Sequence, residues 1–334
     1  MCGAESADKA LELEIREKVC ASISPEDAKG FRPLPAWAES QAPDGRRPAS
    51  VPAEFPQSLE LYRAAVRVRP AHELRTIALQ PLGDFSSEQM RVLELLREYA
   101  AIFFQLPARL EKPVPLGPAR TDNQTPNSRE PLPASVPTGL YRNLPLGHRH
   151  GAYDKQYNGD RVMTELLAPR LPAGVLLYFG VTQADLYCGD LNYVFGVASL
   201  DKRVGVYSLA RYYPEFWGLP RSEGDELRGL RRACKVLNHE AGHMFGLRHC
   251  VFYGCSMNYS NTLQDLDGTP MHYCPVCHRK LMWNISFDPL KRYAELRGFY
   301  QRNGLTAEAA WLTERIQHWK TVAAQEALAK VDDE

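Results

Sequence analysis

Residues 239–250 read HEAGHMFGLRHC and hold three of the nine histidines in this 334-residue chain. They continue a helix predicted over 225–245, because apolar residues recur there at three- and four-residue spacing. That apolar stripe consists of Leu227, Leu230, Cys234, Leu237, Ala241 and Met244. His239 and His243 stack on the opposite side, so the helix can pack into a core and still present two imidazoles to a cleft.

Gly246 ends the helical pattern, and a glycine there can adopt the left-handed conformation that turns a chain sharply. Such a turn is needed if His249 is to return towards the other two histidines. Three neutral imidazoles give zinc three protein ligands and leave a fourth position for water, as in catalytic sites. The sequence therefore predicts zinc at His239, His243 and His249. Glu240 is the predicted general base, taking a proton from the zinc-activated water that attacks a carbonyl.

The HExxH part of this motif is short and has false positives, and a pair of histidines often belongs to a surface or a core. A third histidine beyond a helix-ending glycine is a far more demanding pattern. The full motif therefore favours a metal site.

Four of the eight cysteines crowd into the 28 residues that begin directly after the histidines. These four are Cys250, Cys255, Cys274 and Cys277. Two short-spaced pairs of thiolates form the closed tetrahedral set that structural zinc prefers, so a second zinc is predicted there. Disulfides are one alternative, and His272 or His278 could replace one cysteine as a ligand. Cys188 and Cys234 are predicted to be packing residues.

The overall composition is that of an ordinary globular protein, with 44% hydrophobic residues, 24% charged residues and a formal net charge of zero. The neutral balance argues against a nucleic-acid partner, since phosphate binding needs a basic face. The first twenty residues are charged and helix-like, unlike a signal peptide, and no apolar run of about 18 residues suggests a membrane span. We expect a cytoplasmic monomer without a membrane partner.

The pattern of elements predicts an α+β (mixed α/β) fold, with a mixed sheet backed by helices and a loop-rich cysteine region after the motif helix. Strands are predicted within 74–83 and 173–182, helices at 86–104 and 159–171, and a hairpin from 191–200 and 203–213.

Three segments are predicted along the chain. Residues 1–70 form an N-terminal extension, helical and then Pro-rich. Residues 71–287 form the catalytic domain, which includes the cysteine region 250–277, and residues 288–334 form C-terminal helices. A second Pro-rich stretch, about 107–145, is predicted to be a long loop.

HEAGHMFGLRH matches HExxHxxGxxH, the zinc motif of the metzincin metallopeptidases. Cys250 and Cys255 follow it, then Ser256-Met257, and after sixteen further residues Cys274-Pro-Val-Cys277. With this combination the chain resembles the archaemetzincin family, in which four cysteines hold a second zinc beside the active site. The likeness covers about residues 74–282. It implies a metzincin-like twisted mixed sheet with an active-site helix and a zinc-dependent peptidase activity.

The resemblance also implies roles for residues around the motif. Met257 would be the Met-turn residue beneath the catalytic zinc, unless it is an ordinary core methionine. The 191–200 strand would form the upper edge of the cleft, where an extended peptide can bind by strand addition; otherwise it is a central strand. In some metzincin branches a tyrosine at the position of Tyr259 stabilises charge on the reacting carbonyl. Packing is the alternative for Tyr259, and His148 and His150 are other candidates for that catalytic role.

Two functions remain open. The first is a zinc metallopeptidase that cleaves peptides or unfolded proteins. The second is a non-catalytic, zinc-stabilised protein that binds peptides or proteins on a metallopeptidase scaffold. The presence of Glu240 favours the first, because a binding protein would be free to lose a general base. Nucleic-acid binding through the four cysteines suits neither the neutral charge nor the three histidines.

We predict two zinc ions per chain, because three histidines and four cysteines cannot share one ion. Elemental analysis of the fully loaded protein should give a zinc-to-protein ratio of two. A chelator should remove the open, histidine-bound zinc first, and the cysteine-bound zinc only with loss of structure. A ratio of one would contradict the two-site hypothesis.

Overall fold

The computed structural model describes residues 14–15, 17–34, 55–116, 140–143 and 155–332, with side chains to residue 324. The α-helices with described bounds are, in chain order, α1 (Pro25–Ala28), α2 (Leu59–Ala65), α3 (Ser87–Phe104), α4 (Gly159–Arg161), α5 (Asp225–Met244), α6 (Leu263–Gly268), α7 (Pro275–Ile285), α8 (Pro289–Arg302) and α9 (Thr306–Asp332). Residues 14–15 and 17–21 are helical as well. The strands are β1 (Thr76–Leu82), β2 (Ala108–Leu110), β3 (Tyr141–Asn143), β4 (Lys155–Asn158), β5 (Val175–Thr182), β6 (Asp185–Tyr187), β7 (Gly196–Ala198) and β8 (Val204–Ser208).

The strands form two sheets, and both contain parallel and antiparallel pairs. The five-stranded sheet has the order β2-β1-β5-β8-β7, in which only the β7–β8 pair is antiparallel. The smaller sheet has the order β3-β4-β6, with β3 antiparallel and β6 parallel to β4. These sheets and the surrounding helices confirm the predicted mixed α/β fold class.

Strand β5 is buried along its whole length, as its continuous apolar sequence predicts for a strand covered on both faces. Helix α3 begins as predicted behind a serine: the Ser86 hydroxyl accepts from the Gln89 N–H, and the Gln89 side chain accepts from the Ser86 N–H. This capping box satisfies two backbone donors at the helix start.

The helix predicted at 159–171 is irregular. One turn of α-helix is followed by a π-helical segment, Val162–Leu167, and a 3₁₀ turn, Ala168–Arg170. Pro169 has no N–H to donate to the preceding turn, so a regular helix cannot continue through it. Val162 and Leu166 on this segment are fully buried.

The predicted hairpin is confirmed, with Gly196 paired to Tyr207 and Ala198 to Gly205 across the antiparallel β7 and β8. Its first strand is shorter than predicted, since only Gly196–Ala198 is paired as a strand. Strand β7 ends the strand order of its sheet. Among the described residues, it is therefore an edge strand, like β2 at the other end, rather than a central one.

Contacts divide the chain into two compact units, residues 67–245 and residues 1–66 with 246–334. The first unit contains both sheets with α3, α4 and α5. In the second unit, residues 31–34 run beside the cysteine region: Pro33 bridges to Tyr253, and the Leu34 N–H donates to the Phe252 carbonyl at 3.0 Å. The predicted division at residues 70 and 287 stays a prediction.

Helix α7 was not predicted, since the cysteine region was expected to consist of loops. Pro275 occupies its first turn, where a missing N–H costs nothing, and Cys274 is its N-cap residue. The two predicted C-terminal helices are confirmed as α8 and α9. Across the described ranges, no helix combines the length and apolar character needed to cross a bilayer.

Candidate metal centres

Helix α5 carries the first two histidines of the motif. Its burial is wider than the predicted apolar stripe, because Lys235, Asn238 and Glu240 are buried as well. The Asn238 side-chain amide donates to the Tyr99 hydroxyl of α3 at 2.7 Å, which compensates part of the cost of burying a polar group.

The three histidines of the motif come together. The Nε2 atoms of His239 and His243 are 3.0 Å apart. Gly246 has φ +84°, which confirms the predicted left-handed turn after the helix. One ligand nitrogen from each of His239, His243 and His249 lies within 4.8 Å of the others. Nitrogens around a tetrahedral zinc stand about 3.3 Å apart, so this donor set fits the ion.

Glu240 is buried, with 5% of its surface exposed. Burial raises the pKa of its carboxyl group to about 8, and a cation at the histidines would lower that pKa by favouring the charged form.

Gly196 of β7 makes room for this carboxylate. A Cβ at this glycine would lie 2.6 Å from Oε1 and 2.8 Å from Cγ and Cδ of Glu240. The φ of Gly196 is not positive, so the position demands space rather than an unusual backbone. Gly196 was not predicted as a site residue, since nothing in the sequence of the 191–200 strand marks which residue faces the helix.

The four clustered cysteines are buried, and their sulfur atoms lie within 4.8 Å of one another. The Sγ atoms of Cys250 and Cys274 are 3.5 Å apart, near the roughly 3.8 Å expected around a tetrahedral zinc. None of the described cysteines forms a disulfide, so the disulfide alternative finds no support among them. His272 and His278 are outside the cluster: His272 stacks on Trp311 at 3.8 Å, and His278 lies against aromatic rings.

Burial and mutual hydrogen bonds shift the pKa values of these thiols in different directions. Burial raises the pKa of Cys255 and Cys274 well above the usual range of a thiol. Burial acts on Cys250 in the same direction, but hydrogen bonds from the other three thiols outweigh it and hold its pKa well below that range. Four thiolates at this separation need a cation between them.

Asn258 fixes the loop between the first two cysteines. Its Oδ1 accepts from the Cys255 N–H at 2.7 Å, and its Nδ2 donates to the carbonyls of Cys250 and Tyr253. Met257 is fully buried, and its carbonyl accepts from the Cys250 N–H at 2.8 Å.

The other predicted residues have mixed outcomes. The half-buried ring of Tyr259 meets the His249 ring edge-on, with centroids 5.1 Å apart. Cys234 is fully buried, as expected of a packing residue. Cys188 is only half-buried, and its thiol donates to Asp160 at 2.7 Å. His148 and His150 lie outside the described residues.

The sequence of this chain is similar to those of known peptidases. Residues 161–283 match the sequence profile of peptidase family M54. Archaemetzincin-2 of Macaca fascicularis is 30% identical over 272 residues, which cover 73% of this chain and 69% of that protein. Archaemetzincin of Thermococcus kodakarensis is 39% identical over 158 residues, covering 47% and 83%. The fold is also similar to the crystal structure of archaemetzincin from Methanopyrus kandleri, with a TM-score of 0.45 and 23% sequence identity. The aligned region covers 65% of this chain and 99% of that protein's chain.

The match to the peptidase family and the similar sequences identify the protein as a zinc metallopeptidase. The chain belongs to the archaemetzincin family.

We predict that Gly196→Ala destabilises the fold by about 1–3 kcal/mol, because the new methyl group overlaps Glu240. In a Glu240→Ala background those three nearest atoms are removed, so the same substitution should cost less. Urea unfolding of the parent, the two single variants and the double variant measures the coupling free energy between Gly196 and Glu240.

Gly180→Ala is the matched control, since this strand glycine is crowded by Leu82 and Leu167 instead. Gly180→Ala should lower the free energy of unfolding equally in the parent and in the Glu240→Ala background. An equal cost for Gly196→Ala in both backgrounds would show that the glycine does not accommodate Glu240.

Proposed function

We propose that this metallopeptidase hydrolyses peptide bonds at a zinc ion held by His239, His243 and His249, with Glu240 as the general base. The observation that carries the proposal is the convergence of three imidazole nitrogens within 4.8 Å, with a buried carboxylate one residue from the first of them. A second zinc, held by Cys250, Cys255, Cys274 and Cys277, is structural, since four buried thiolates leave no open position.

Zinc bound at the histidines supplies a Lewis acid for the peptide carbonyl and lowers the pKa of a coordinated water towards about 7. The carboxylate of Glu240 accepts the proton of the attacking water and returns it to the leaving nitrogen. Its buried position against Gly196 supports this role, because a carboxylate with few rotamers available stays aimed at one place.

Strand β7 supports the proposed binding mode. In the antiparallel pair with β8, the Phe195 carbonyl accepts from the Ser208 N–H and the Ser199 N–H donates to the Val204 carbonyl. Alternate residues of a strand pair with the same neighbour, so Gly196 and Ala198 direct their backbone groups to the outer side. An extended peptide could pair there, beside Glu240. An edge strand in this position is what the proposed metzincin-like sheet requires beside the cleft.

Peptides or unfolded proteins are the proposed substrates, and the proposed setting is a cytoplasmic monomer without membrane or nucleic-acid partners. The formal net charge of zero supports the absence of nucleic acid.

We predict that Glu240→Gln lowers kcat by about 10²- to 10⁴-fold, because the amide cannot accept the proton. Zinc content and thermal stability should stay near those of the parent, since glutamine has the same shape and is not a ligand. Peptide cleavage and elemental analysis measure both. Glu226→Gln on the exposed side of the same helix is the matched control and should leave kcat unchanged. Parent-like cleavage by Glu240→Gln would exclude Glu240 as the base.

We predict that Tyr259→Phe lowers kcat with little change in KM, because only a hydroxyl that stabilises charge in the transition state is lost. Steady-state kinetics with zinc-loaded protein test this. Tyr253→Phe, in the preceding cysteine loop, should leave kcat unchanged. If Tyr259→Phe keeps the parent kcat with zinc bound, the tyrosine serves packing alone.

A further inference from the structure

Gln57 reaches the turn that follows the motif helix from a distant part of the sequence. It is 4% exposed. Its Nε2 donates to the Gly246 carbonyl at 3.0 Å, and its Oε1 accepts from the Arg248 N–H at 3.2 Å. One side-chain amide therefore closes both ends of the turn 246–248.

This turn needs such a partner. The chain leaves the helix at Phe245 and takes a left-handed conformation at Gly246, so backbone groups beyond this point have no helical partner. The next residue after the bridged turn is His249. Small rotations within residues 246–248 would move the His249 ring, and the Gln57 amide opposes such rotations.

The surroundings of Gln57 determine how its amide is oriented. The Lys280 ammonium group, itself 2% exposed, lies 3.4 Å from Oε1 of Gln57. Two donors, Lys280 Nζ and the Arg248 N–H, thus face Oε1, which leaves Nε2 for the Gly246 carbonyl. A flipped amide would set its NH₂ group against both donors. The hydrogen bonds therefore have one consistent arrangement.

Helix α2, just after Gln57, packs against the same turn. A Cβ at Gly246 would meet Val66 at 3.2 Å and Tyr62 at 3.5 Å. Tyr62 is anchored in turn, since its hydroxyl accepts from the Asn284 amide at 2.7 Å. Residues 57–66 thus form a support for the turn, in a part of the chain outside the recognised motif.

We infer that Gln57 is a positioning residue for the third histidine ligand: it holds the turn 246–248 so that His249 is oriented before zinc binds. This inference rests on the proposed zinc site and deepens it. Groups that orient a metal ligand raise affinity, because the protein orders the ligand on folding instead of on binding.

The test compares Gln57→Ala and Gln57→Glu with the parent in the full chain, with zinc at the cysteines retained. Alanine removes both hydrogen bonds. Glutamate keeps an oxygen that accepts from Arg248 and Lys280, so this variant should stay folded. Its other oxygen faces the Gly246 carbonyl, so the hydrogen bond to that carbonyl is lost. Zinc is titrated into the histidine site in competition with a chelator, and thermal unfolding is recorded without that zinc.

Gln80→Ala is the matched control. Gln80 is another buried glutamine whose Nε2 donates to two backbone carbonyls, those of Pro81 and Lys112. A merely structural glutamine lowers the unfolding temperature when it is removed but leaves zinc affinity unchanged. We expect this result for Gln80→Ala, and about a 10-fold weaker zinc affinity for both Gln57 variants.

Zinc affinity equal to that of the parent in folded Gln57→Ala or Gln57→Glu would overturn the inference. Zinc affinity is measured without peptide cleavage. A protein that binds zinc at the histidines but cleaves no peptide would therefore contradict the proposed function, and the role of Gln57 could still be measured. A parent that binds no zinc at the histidines would overturn both.

Discussion

The candidate centre depends on the point at which helix α5 ends. If the helix continued beyond Met244, residue 249 would lie about 9 Å farther along the axis than His243 and about 240° around it. Three imidazoles could not then share an ion. The left-handed conformation of Gly246 ends the helix, and the hydrogen bonds from Gln57 hold the chain in its new direction.

Close packing of α5 against the sheet depends on small residues in β7 and β8. A Cβ at Gly205 would approach the Met244 sulfur to 3.1 Å, and a Cβ at Gly196 would overlap the Glu240 side chain. The carboxylate is thereby buried rather than solvated, which raises its pKa. The two glycines thus connect sheet geometry to the environment of the proposed base.

The cysteine region obtains its shape from several separate segments. Asn258 closes the loop that carries Cys250 and Cys255, and helix α7 presents the other pair from its first turn. The segment 31–34 runs beside the same loop, and Phe31 packs against Trp311 of α9 with ring centroids 5.5 Å apart. The N-terminal segment is therefore part of this unit's structure, despite having no recognisable motif.

Local sequence patterns were sufficient to predict several helices, a buried strand and the turn after the motif helix. Periodicity predicted α3 and α5, an apolar run predicted β5, and the Gly246 turn followed from the glycine that ends the motif helix. The three histidines, and each of the two cysteine pairs, were found because their members are close in sequence. The meeting of the two cysteine pairs, 24 residues apart, depends on tertiary packing.

Tertiary structure alone decided the long-range contacts. Gln57 lies 189 residues from Gly246 in the chain, and Gly196 is one glycine among 23. Their positions follow from how strands and helices pack, and a glutamine or a glycine carries no local pattern of that packing.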